Sequence, residues 1–181
     1  MFDEFKSRAE AVSAEVHRFF TKDEALRFII DVLKKEGVSN CPQAYAVWVD
    51  CPFLKGIDRA LLAGKVPGLT FDVNRETAAA SHVGISQMDW AIANTGTLAQ
   101  DSTPFEQRLA SSLSFIHIAL VATDGLLADM PSLLTKINPK ESSYIAMITG
   151  PSRTADIERV LTIGVHGPQR LIIVFVDELR G

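Results

Sequence analysis

The sequence predicts an α/β fold, a mostly parallel sheet flanked by helices, with a helical extension at the N-terminus. Three observations carry that reading. IHIALVAT (116–123) and LIIVFVDE (171–178) are short continuous apolar runs, the pattern of strands covered on both faces. From 116 to 177 the chain alternates strand, helix, strand, helix, strand, an order that implies a parallel sheet with right-handed crossovers. The first 36 residues instead carry apolar side chains at three- and four-residue spacing.

Phe5, Ala9, Val12, Val16, Phe19 and Phe20 mark a first amphipathic helix, with His17 a solvated or packing residue within it. Thr21 followed by Glu24 is a capping box for ALRFIIDVLKKE, and Gly37 stops that helix. AYAVWV (44–49) reads as a strand ended by Asp50-Cys51-Pro52, and Ile57 to Ala63 as a short helix closed by Gly64 and Pro67. LTFDVN (69–74) is a strand, RETAAASH a short helix or turn, and VGIS an extended piece. In MDWAIANTGTLAQDS two arms with few charges meet at Thr95-Gly96-Thr97, a hairpin or tight bend. Residues 105–115 form an amphipathic segment before the 116–123 strand, in which His117 reads as a hydrogen-bonded core residue. GLLADMPSLLTKI is a helix that restarts at Pro131. Ser143 to Thr149 suits a buried strand, Gly150-Pro151-Ser152 breaks it, and Thr154 caps a helix running to about Ile163. The expected organisation is a helical extension over 1–37 and an α/β domain over 38–181.

Composition bounds the function. With 181 residues, 47% hydrophobic and 22% charged, the chain is long enough for one domain with a sizeable core. A net charge of -4 and no basic stripe argue against nucleic acid as a partner. The charged N-terminus has no signal-peptide core and no run of about 18 apolar residues occurs, so the expectation is a cytoplasmic protein that makes no membrane span. Cys41 and Cys51 read as reduced thiols; a disulfide is allowed but not required, and they lack zinc-site spacing. No metal or cofactor is expected.

The expected site is the 150–156 turn. A strand that ends in a glycine turn and feeds a helix leaves backbone N–H groups unpaired, which suits an anion, and Asp156 and Glu158 suit the helix dipole. Arg153 beside it could add a fork of charged donors. In parallel sheets ligands bind beyond the C-terminal strand ends, where Thr149 to Ser152 would fall. The same residues fit a plain capped turn equally well. Two further blocks of small residues are NTGT (94–97) and GVHGP (164–168), the second placing His166 either at a polar loop tip or at a ligand. GxGxxG, GxxxxGK[ST], GxSxG and HExxH are absent. Nothing in the sequence brings Cys51 and His166 together as nucleophile and base.

GPSRTADIE followed by GVHGP, with TGT upstream, resembles the LutC/YkgG family, the lactate utilisation protein C type of the LUD domain. The resemblance covers roughly residues 65–178, and VGIS, DWAIANTGTLAQDS, IHIALVA and LIIVFVDE fall in the family's order. It implies a fold related to the NagB/RpiA/CoA-transferase group. It also implies a bacterial system oxidising lactate to pyruvate, beside an iron–sulfur and a cysteine-rich subunit. Two cysteines cannot hold an iron–sulfur cluster, so electrons would move through those partners. The family usually has glutamate where this chain has Asn94, and Asn cannot act as a carboxylate nucleophile or base. The expectation is a non-redox subunit binding a small anionic or phosphorylated ligand. Asn94, Thr95, Gly96, Thr97, Gly150, Pro151, Ser152, Arg153, Thr154, Asp156 and His166 would bind it. The rivals are a stand-alone isomerase or acyl/CoA-transferase-like enzyme using Asp89, Asp156 or His166, and a scaffold docking partners through its N-terminal helices.

Overall fold

The computed structural model describes residues 1–138, 140–154 and 162–179. Its elements in chain order are α1 (Phe2–Ala11), β1 (Ala14–Phe19), α2 (Lys22–Lys35), β2 (Tyr45–Trp48), α3 (Arg59–Lys65), β3 (Leu69–Thr70), α4 (Arg75–Ala79) and β4 (Ser81–Met88). There follow β5 (Trp90–Ile92), β6 (Thr97–Asp101), α5 (Phe105–Leu113), β7 (Ile116–Ala122), β8 (Leu126–Leu127), α6 (Met130–Leu134), β9 (Ile145–Ile148), β10 (Arg153–Thr154), β11 (Thr162–Ile163) and β12 (Arg170–Val176). Six strands make one parallel sheet in the order β1-β12-β7-β4-β2-β3. A second sheet runs β8-β5-β6-β9, with β6 antiparallel to both neighbours.

Alternation along the strands sorts side chains to two faces. On one, Val83, Ile85, Ile118, Leu120, Ile172 and Val174 meet Ile29 and Leu33 of α2 and Leu62 of α3. On the other, Ala119, Val121, Ile173 and Phe175 meet Phe5 and Ala9 of α1 and Leu98 of the second sheet. Each fully buried Leu, Ile or Phe contributes on the order of 1.5–3 kcal/mol. Helix α5 covers the same face further along, with Ala110 against Val47 and Val49. It lies so close to β4 that a Cβ on Gly84 would fall on the Ala110 carbonyl.

The capping box at Thr21 forms as the sequence predicts: Glu24 N–H donates to Thr21 Oγ1 at 3.2 Å, and Thr21 N–H donates to Glu24 Oε2 at 3.1 Å. The central strand at 116–122, the last strand and the hairpin around Gly96 also form.

Three expectations are corrected. The helix over residues 5–20 stops at Ala11; Ser13 takes a φ of 71°, and residues 14–19 become β1, paired in register with β12 from Ala14↔Leu171 to Phe19↔Val176. Ala14 and Val16 face one layer while His17 and Phe19 pack on Phe28 of α2, so a period of two wins once a strand partner is present. The segment 1–37 is therefore built into the sheet, and the apolar faces of its helices lie against it. Second, residues 126–127 are strand, and the helix begins only at Met130, where Asp129 Oδ1 caps Ser132 N–H. Third, the βαβαβ pattern from 116 to 177 fails in its middle strand. β9 leaves the parallel sheet and pairs antiparallel with β6, Leu98↔Ile148 to Asp101↔Ile145. It is an outer strand of the small sheet with Met147 exposed, and its apolar run mimics a buried strand.

Candidate functional site

The 150 turn follows β9 and lies against the N-terminal starts of β7 and β12, whereas the sequence reading put it at the C-terminal end of a parallel strand. Arg153 and Thr154 continue as β10 and pair antiparallel with Thr162 and Ile163, so neither end of the expected 154–163 helix is helical. Asp156 and the rest of 155–161 lie outside the described residues.

Backbone bonds draw the two motif turns together. Ser152 N–H donates to Pro168 O at 2.9 Å, and Gly164 N–H donates to Ser152 O at 2.8 Å. A Cβ on Gly167 would sit 3.0 Å from Ser152 Cβ, so glycine is what permits this approach. Between the turns lies a cavity of about 310 Å³, walled by Gly150, Pro151 and Ser152 on one side and His166, Gly167 and Pro168 on the other. Ser111 and Ser112 from α5 and His117 from β7 also line it.

His117 is a residue whose position at the cavity the sequence did not signal. It is hydrogen-bonded in the core, as expected, with Nε2 2.9 Å from Ser86 Oγ across the strand pair. It also lines the cavity. Burial pushes its pKa down to about 4, so the ring is neutral at pH 7. Ser112, Ser152 and His166 have polar side-chain atoms with no hydrogen-bond partner among the described residues, and all three line the cavity. No carboxylate among the described residues does so. Hydroxyl and imidazole donors without an opposing carboxylate suit a small anion.

The expected residues divide. Gly150, Pro151, Ser152 and His166 meet at the cavity. Arg153 does not turn its charge there: its Nη2 donates to Val12 O at 2.6 Å and so closes the C-terminal end of α1. The Ser152 amide, occupied by Pro168 O, is no longer an anion donor. Asn94 and Thr95 are exposed at the hairpin tip, where Asn94 N–H donates to Ala128 O at 3.1 Å. Gly96, at a φ of 66°, approaches α1 and no ligand space; a Cβ there would lie 2.5 Å from Ala9 N. Thr97 is the link between the blocks, with its Oγ1 2.8 Å from Thr149 Oγ1. Cys51 lies at the other end of the parallel sheet from His166, at the end of β2, so the two form no pair. No group of three His, Cys, Asp or Glu among the described residues could hold a metal, and no helix among them is long and apolar enough to cross a membrane.

Comparison with known proteins agrees with this architecture. The LUD domain family profile matches residues 2–176. A lactate utilization protein C from Geobacillus sp. (strain WCH70) is 32% identical, with 97% of this chain and 79% of that protein covered. One from Exiguobacterium sp. is 33% identical over 60% of this chain and 50% of that protein. The chain spans about half the length of the Exiguobacterium relative and of several others that it matches. The crystal structure of a DUF162 family protein from Deinococcus radiodurans superposes with a TM-score of 0.67 over 97% of this chain and 95% of that one, at 18% identity, a likeness of fold. The chain belongs to the LUD domain family, together with proteins named lactate utilization protein C.

Proposed function

We propose that this chain serves lactate utilisation as a non-redox subunit, holding a small carboxylate or phosphorylated ligand between the 150–152 turn and the 166–168 turn. The observation behind the proposal is the cavity of about 310 Å³, in which two separate sequence motifs meet and no described carboxylate opposes an anion. The names of the relatives supply the pathway. In this reading Ser112 and Ser152 donate hydroxyl hydrogens to the anion and His166 adds a ring N–H. His117 stays neutral beneath them and fixes its ring through Ser86. The electrons of lactate oxidation pass through iron–sulfur and cysteine-rich partner subunits, since two cysteines, one buried and one exposed, give this chain no cluster site.

The test is genetic. Deleting the gene should abolish growth on L-lactate as sole carbon source, and the unaltered gene should restore it. Ser152→Ala with His166→Ala should restore it poorly although the protein accumulates normally. Full rescue by that double variant would remove the cavity from the account, and unimpaired growth of the deletion strain would remove the pathway.

A further inference from the structure

At the opposite end of the parallel sheet a second cavity, of about 360 Å³, opens beyond the C-terminal ends of β2 and β4. Its position is set by topology. From β2 the chain crosses through α3, on one face of the sheet, outward to β3. From β4 it crosses through α5, on the other face, in the opposite direction to β7. The two connections diverge, so β2 and β4 flank the switch point of the sheet, where open α/β sheets leave a crevice.

The lining is organised by a buried network. Gln100, 1% exposed, accepts Ser102 Oγ–H at 3.0 Å and donates through Nε2 to Gln87 O at 2.6 Å and Gln107 Oε1 at 2.8 Å. That fixes the Gln107 carboxamide with its NH2 uncommitted among the described residues. Gln87 is fixed likewise, because its Oε1 accepts Phe53 N–H at 3.0 Å. Both line the cleft. Asp89 also lines it, with Oδ2 held by Asp101 N–H at 2.6 Å. Beneath, the fully buried Trp48 Nε1–H has no hydrogen-bond partner among the described residues.

We propose that this cleft is a second ligand site, for a small neutral molecule bearing hydroxyl or carbonyl groups. Its lining differs in kind from that of the first cavity: among the described residues Asp50, Asp89 and Asp124 line it together with one cation, Lys136, and Arg59 pairs with Asp50 from outside. Two oriented carboxamides supply donors for carbonyl or hydroxyl oxygens, and the Asp89 carboxylate accepts a hydroxyl hydrogen. Desolvation pushes the Asp89 pKa up, against the Asp101 N–H bond that pulls it down.

The experiment is an NMR titration of the full chain with erythritol and dihydroxyacetone, beside L-lactate and phosphate, reading the side-chain NH2 signals of Gln87 and Gln107. The neutral probes should shift both signals and the anions neither. Gln107→Glu keeps the acceptor for Gln100 and removes the NH2; it should weaken the neutral probes by about fivefold or more, whereas Ser152→Ala leaves them unchanged. Gln87→Glu is the second variant should the first unfold. The proposal fails if neither neutral probe shifts the two signals, if the anions shift them more strongly, or if the folded variant binds as before. Each outcome is independent of whether lactate or phosphate binds between the 150 and 166 turns.

Discussion

The two ends of the parallel sheet present opposite cavities. At the N-terminal end two glycine-rich turns face each other across a cavity with hydroxyls, imidazoles and no described carboxylate. At the C-terminal end the cleft is walled by three aspartates, two glutamines and a thiol. The first cavity is written in motifs and the second in topology. Glycines spaced for close approach leave a mark in the sequence, while a cleft made by diverging crossovers leaves none until strand order is known.

The contrast is sharpest in pH. His117 carries a folded pKa of about 4 against 6.5 unfolded, so its contribution is complete above 6.5 and is lost as pH falls toward 4. The loss reaches about 3 kcal/mol, and urea unfolding at stepped pH should show it in the natural protein and not in His117→Gln. Asp89 has the opposite sign. Its raised folded pKa favours the fold at acid pH, and that advantage disappears as pH rises through the folded value. In the same titration Asp89→Asn should leave the low-pH loss in place.

Gly150→Ala should come next. With a φ of 73° and a Cβ 2.5 Å from Val12 O, alanine there is both strained and crowded, at about 1–3 kcal/mol by thermal unfolding. The anion cavity should suffer and the Gln107 signal should not. Arg153→Ala should cost about 1 kcal/mol of stability, because it uncaps Val12 O, yet change anion affinity less than about twofold in calorimetry. A large affinity loss would return Arg153 to the site. Asn94→Glu, at an exposed hairpin tip, should shift stability by no more than about 0.5 kcal/mol.

Much of the fold was legible. The capping box at Thr21, the apolar runs of β7 and β12 and the hairpin at Gly96 are local signals with local causes. What misled were segments whose pattern admits two periods. VSAEVHRF satisfies helical spacing and strand alternation alike, and only the open edge of β12 decides between them. SYIAMIT is apolar enough for a buried parallel strand, and its antiparallel partner β6 is recruited from about 45 residues earlier. Gly150 to Ser152 and His166 come together at one cavity, and their turns mark them in the sequence because turns demand particular residues. Arg153 instead bonds Val12 O; a charge beside a glycine turn looks the same in the sequence whether it faces a ligand or a helix C-terminus. His117 was read as core, correctly, and nothing in IHIALVAT tells that this core residue also walls a cavity.

The most direct test of the central claim is isothermal titration of L-lactate, pyruvate and phosphate into the natural protein, Ser152→Ala with His166→Ala, and Asp89→Asn. At least one anion should bind the natural protein and Asp89→Asn alike, and lose about tenfold or more in affinity in the double variant. Equal binding by the double variant, or binding lost in Asp89→Asn, would contradict the placement of the anion between the 150 and 166 turns.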